Sequence, residues 1–134
     1  MSYSIPGTMI TLLSSGDMST HQYKAVQAST TNAVDGCTVV ATRGGKVTGV
    51  YQNNSTQAEA GSVMVDGVTK MIAGDSSAGA AISVGDFVVA SSVGAAVAST
   101  NTTLAVIGIA LEGLAASSTG IISVLLRQGA TSTA

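Results

Sequence analysis

His21 is the single histidine of the chain, so a Ser–His–Asp mechanism would have to be built around it. That chemistry needs an activated serine and an orienting carboxylate beside the imidazole. Gly74-Asp-Ser-Ser-Ala-Gly79 sets serines between glycines, but it lacks the Gly directly after Ser76 that a protease nucleophile loop uses. The same residues read equally as a small-residue linker. The seven acidic residues do not cluster, and Asp17, Asp75 and Asp86 each follow a glycine in a turn, where an Asp side chain caps the backbone. There is no Asp-x-Asp-x-Asp calcium loop, and one His with one Cys cannot make a zinc site. Carboxylates on distant strands could still meet as a glycosidase pair. Sugar sites usually stack their ligand on aromatic platforms, and here only Tyr3, Tyr23, Tyr51 and Phe87 are available. Gly44-Gly-Lys46 is a hairpin turn rather than a phosphate loop, because strand and not helix follows it. Asn53-Asn-Ser55, Asn54-Ser-Thr56 and Asn101-Thr-Thr103 match the glycosylation pattern but read as loop residues. No catalytic residue, cofactor or metal is expected.

Composition narrows the classes further. Charged residues are 9% of the 134, against about 25% in a typical soluble domain, while hydrophobic residues reach 46%. Mean hydropathy is +0.47. That excludes disorder, which goes with low hydrophobicity and high net charge. Five Lys+Arg and a net charge of −2 cannot neutralise a phosphate track, so no nucleic-acid partner is expected. No apolar run reaches the roughly 18–20 residues of a membrane-spanning helix, so no membrane is expected either. The opening residues lack a basic stretch followed by an apolar one, so no secretory leader is expected. Cys37 is alone, which rules out an intrachain disulfide and fits assembly in a reducing cytosol. A surface this poor in charge tends to associate, which favours a subunit covered by others, so a homo-oligomer is expected.

The elements that would carry such a surface are short strands. Glycine recurs too often for a capped helix of useful length. Strands are expected at Thr8–Leu13, His21–Ala28, Cys37–Thr42, Lys46–Gln52 and Ser62–Ile72, the last bent at Asp66-Gly67. Others are expected at Asp86–Ala90, Ala95–Ser99, Leu104–Leu111 and Ile121–Arg127. In the last, Ile122, Val124 and Leu126 share one face. The fold class is therefore all-β, a small barrel or sandwich.

An internal repeat organises these strands. An offset of 59 carries Val47-Thr-Gly-Val50 onto Val106-Ile-Gly-Ile109, and Gly61 onto Gly120, without a gap. Ser14-Ser-Gly-Asp17 resembles Ser83-Val-Gly-Asp86 at an offset of 69, so about ten extra residues fall in the first copy, at the Ser29–Gly36 loop. The copies run at about 14–67 and 83–127, within a barrel domain at 12–128, and residues 129–134 are a polar tail. Neither copy has enough large side chains for a core of its own, so together they should close one pseudo-symmetric barrel.

Residues 1–11 lie outside the repeat, and Pro6 forbids a central strand there. The segment Ser2–Thr11 is expected to be an extended arm that adds to the sheet edge of a neighbour. In that role Tyr3, Ile5, Pro6 and Met9 are its interface residues.

This order of elements resembles the capsid cement, or head decoration, proteins of tailed phages. The elements are Ser-x-Gly-Asp with Tyr23-Lys-Ala-Val26, then Val47-Thr-Gly-Val50, a loop ending in Ala58-Glu-Ala-Gly61, and Val63-x-Val65-x-Gly67-Val68. Ala73-Gly74, Val84-Gly-Asp86, Ile107-Gly-Ile-Ala-Leu111, and Gly120 with its apolar strand complete it, over about residues 10–128. The Ser29–Gly36 loop departs from the pattern. The resemblance implies a non-enzymatic virion protein on the outer surface of the mature head. It would bind the major capsid protein, commonly as trimers, and stabilise the shell. The alternative is a non-catalytic interaction or carbohydrate-binding module of a tail or fibre.

Overall fold

The structure is a computed structural model that describes residues 5–29, 36–57, 59–74, 80–99 and 104–127. Among these residues it forms strands and no helix. They are β1 (Ile5–Pro6), β2 (Met9–Ser14), β3 (Ala25–Ser29), β4 (Gly36–Val39), β5 (Gly49–Tyr51) and β6 (Ala60–Met64). The second half holds β7 (Gly67–Ala73), β8 (Phe87–Ala90), β9 (Ala96–Ala98), β10 (Val106–Ala110) and β11 (Gly120–Leu126).

Strands β2-β4-β3-β5-β6 close into a five-stranded barrel, with β2 and β4 parallel and the other neighbours antiparallel. Strands β7 to β11 follow the same order. β7 lies beside β11, then come β10, β8 and β9, and a parallel pair Ala73↔Ala96 brings β9 back to β7. The repeat is thus structural, strand for strand. Ser14↔Cys37 in the first unit matches Ala73↔Ala96 in the second. The following amides match too, Ser15 donating to the Cys37 carbonyl at 2.9 Å and Gly74 to the Ala96 carbonyl at 2.8 Å. Gly49 and Gly108 also correspond. A Cβ on either would strike the backbone of the paired strand, at Met64 and Leu125 respectively.

Three expectations change. First, Gly61 does not lie over Gly120. Val50 pairs with Met64, whereas its counterpart Ile109 pairs with Leu125, so Gly61 corresponds to Ile122. The loop before β11 is two residues longer, and strands of period two look alike after a slip of two. Second, Ser62–Ile72 is two strands. Gly67, at φ 101°, breaks them in the left-handed region that glycine tolerates. β6 closes the first unit and β7 opens the second, so the second copy begins at β7 rather than at 83. Ser14–Asp17 therefore does not lie over Ser83–Asp86: Ser14 stands over Ala73 and Tyr23 over Gly85. Third, each unit has an interior. Met18, Val26, Cys37, Tyr51 and Val63 fill the first. Met71, Val88, Ile107, Ile122 and Val124 fill the second, and Ala25, Val40, Val50 and Met64 of the first unit join that cluster.

The expected arm Ser2–Thr11 divides in the same way. Tyr3 lies outside the described residues. Ile5 and Pro6 pair with Val68 and Gly67 of their own chain, and Met9–Thr11 are the first half of β2. The reason is an open edge: β9 reaches β7 only at Ala73, which leaves Gly67–Val68 free to take β1. Pro6 fits there because an edge strand can spare one N–H.

Candidate functional site: an apolar row on the outer sheet face

Residues directly opposite in a ladder point to one face of a sheet. The pairs Ile5↔Val68, Val68↔Leu125, Leu125↔Ile109 and Ile109↔Phe87 therefore draw one row across five strands. The other face carries Met71, Ile122, Val124 and Leu126, all at 3% exposure or less. The row is consequently on the outside. Ile5 is 55% exposed and Phe87 39%, Ile109 and Leu125 are half-buried, and Val68 is shielded at 8%. The row itself holds no charge. Burial of apolar area against another protein is the chemistry that such a surface suits.

Of the residues expected at an interface, Ile5 stands at the end of this row. Met9, 46% exposed, stands on the first unit opposite Met64. Pro6 lies in β1 between them in sequence. Phe87, Ile109 and Leu125 were not singled out by sequence reasoning. The signal was present in β11, where Leu125 and Ile121 are apolar on the face opposite Ile122, Val124 and Leu126.

The side chains that could do chemistry are placed apart. Asp17 accepts the Ser19 amide at 3.0 Å and Asp86 accepts the Ser83 amide at 2.8 Å, the turn-capping role their spacing suggests. Asp75 lies outside the described residues. Cys37 is buried, and burial pushes its thiol above the usual range. Among the described residues no group of three His, Cys, Asp or Glu could hold a metal.

His21 is half-buried, and its Nδ1 is enclosed without a hydrogen-bond partner. Burial holds the imidazole below the usual histidine range, Lys24 adds to this, and Asp17 opposes it. A group with a lowered folded-state value stabilises the fold above its unfolded value, near 6.5, and loses that contribution as pH falls through the folded one. The thermal midpoint should therefore fall between pH 7 and pH 5, and fall less in His21→Gln. Equal pH slopes for the two proteins would show that His21 is not the group responsible.

Two like five-stranded units, joined side by side and ending in an uncharged outer row, define a small all-β repeat protein. The sequence profile described as phage cement protein matches residues 18–128, and the chain belongs to that family. The fold is similar to the N base of head fiber gp8.5 of bacteriophage phi29. The TM-score is 0.66 at 16% identity, over 90% of this chain and 95% of that one. No curated protein sequence matches the chain. Both similarities are to structural components of phage particles, and this chain is a phage head-associated structural protein.

Proposed function

We propose that the protein decorates the outer surface of the mature head, binds the major capsid protein there as a homotrimer, and stabilises the shell without catalysing a reaction. The observation that carries this reading is membership of the cement family, together with a chain that is 9% charged. A clamp that binds only the mature lattice stabilises it by mass action, and three linked copies add avidity because the first contact raises the effective concentration of the others. The N-terminal segment supplies part of the contact. Ile5 and Met9 are exposed, Tyr3 and Pro6 flank Ile5, and β1 is held to β7 by only two residue pairs, so strand exchange with a neighbour costs little.

A second reading comes from the similarity to a head fiber base: the chain would anchor a fibre or serve as a module of one. Copy number in purified particles separates the two. Cement covers the whole shell in many copies, and a fibre base occupies a few fixed positions. Few copies per particle would favour the fibre.

A further inference from the structure

The two units differ in what lies over the outer row. In the first unit the row is Met9–Met64–Val50–Ala25, through the pairs Met9↔Met64, Val50↔Met64 and Ala25↔Val50. The corresponding strands of the second unit place Val68, Leu125, Ile109 and Phe87 there.

The first row, all but Met9 at its end, is sealed by the second unit. Met64, Val50 and Ala25 are 1%, 0% and 0% exposed and share a cluster with Met71, Ala73 and Ala96. Backbone bonds cross the same seam. Ala25 donates to the Gly94 carbonyl at 2.8 Å, and Ile72 donates to the Tyr23 carbonyl at 2.9 Å.

Tyr23 and Gly85 mark the same turn. Both have positive φ, 65° and 93°, and their amides donate to the matching carbonyls of Tyr51 and Ala110. Yet among the described residues no backbone bond outside the strand ladders reaches the counterparts of the seam groups, the Phe87 N–H and the Gly85 carbonyl. Beside them Phe87 is 39% exposed, and Val84, in the preceding turn, 70%. The second unit presents the face that the first unit buries.

We propose that a second copy of this chain covers the Val68–Leu125–Ile109–Phe87 row, its first unit standing where the second unit stands within one chain. The chain already contains a surface made for such a row, the β7 side of its second unit. The first-unit equivalent of β7 is β2, where Leu13 stands at the position of Ile72 and is half-buried, and Met9 and Ile10 at the start of the strand are 46% and 37% exposed. The contact is head to tail, the row of one copy against the β2 side of the next, and contacts of that kind close into rings when the rotation allows. The proposal rests on the self-association in the reading above and not on shell binding.

Sedimentation equilibrium of the full-length protein tests it, with Phe87→Glu, Leu125→Glu, the milder Phe87→Ser, and Asn54→Glu in an exposed loop as control. The wild type should associate at micromolar concentration. A charge in the row should raise the dissociation constant about a hundredfold, since an unpaired charge would be buried in the contact. Phe87→Ser should act in the same direction, with a folded circular dichroism spectrum, and Asn54→Glu should match the wild type. If the row variants associate as the wild type does, the row is not the contact, although self-association stands. A wild type that stays monomeric throughout overturns both.

Discussion

Gly61→Ile should destabilise the protein by about 3 kcal/mol or more, the upper range for overpacking a filled interior. A Cβ at Gly61 would overlap the ring of Tyr51. That ring cannot retreat, because Tyr51 is completely buried and its hydroxyl is hydrogen-bonded to Ser14 Oγ at 2.9 Å. The second unit fills the equivalent space from the opposite side. Ala73, Ala110 and Ile122 stand where the first unit has Ser14, Tyr51 and Gly61. Tyr51→Ala alone should cost about 3–5 kcal/mol through the cavity it leaves. The triple variant Ser14→Ala, Tyr51→Ala, Gly61→Ile restores the second unit's solution and should be more stable than either single variant, since volume is conserved and no hydroxyl is orphaned. Urea unfolding midpoints measure this coupling. Additive losses would show that the two interiors are not built on one plan.

Deletion of residues 2–7 should have the second largest effect, on binding rather than folding. The five-stranded order of each unit is complete without β1, which contributes two residue pairs. Circular dichroism should be unchanged and the thermal midpoint little altered. Binding to heads should weaken by about 1–2 kcal/mol per chain, and by several per trimer, from lost main-chain bonds and the burial of Tyr3 and Ile5. Co-sedimentation at limiting concentration reads the difference. Unchanged occupancy would move the capsid contact onto the loops of the two units.

Much of this architecture was legible in the residues. Alternating runs such as Gly120–Leu126, bounded by glycine turns, locate strands because side chains on a strand alternate between faces. The same period of two hides the slip in β11, since Gly61 and Ile122 become partners only once the extra loop residues are counted. The capping roles of Asp17 and Asp86 were also legible, because their bonds are local. The outer row was not. It is assembled from Ile5, Val68, Leu125, Ile109 and Phe87 by four cross-strand registers, and no local pattern contains it. The fate of the N-terminal segment was equally non-local. Whether Ile5 and Pro6 reach a neighbour or their own chain depends on an edge at Gly67–Val68 that exists only once β9 has closed against Ala73.

Titration of purified, undecorated mature heads with this protein tests the proposed function most directly. Saturable uptake of many copies, spread evenly over the shell and raising the temperature at which heads release their DNA, is the result expected of a cement protein. No uptake, or saturation at a few copies at fixed sites with no change in that temperature, would contradict it.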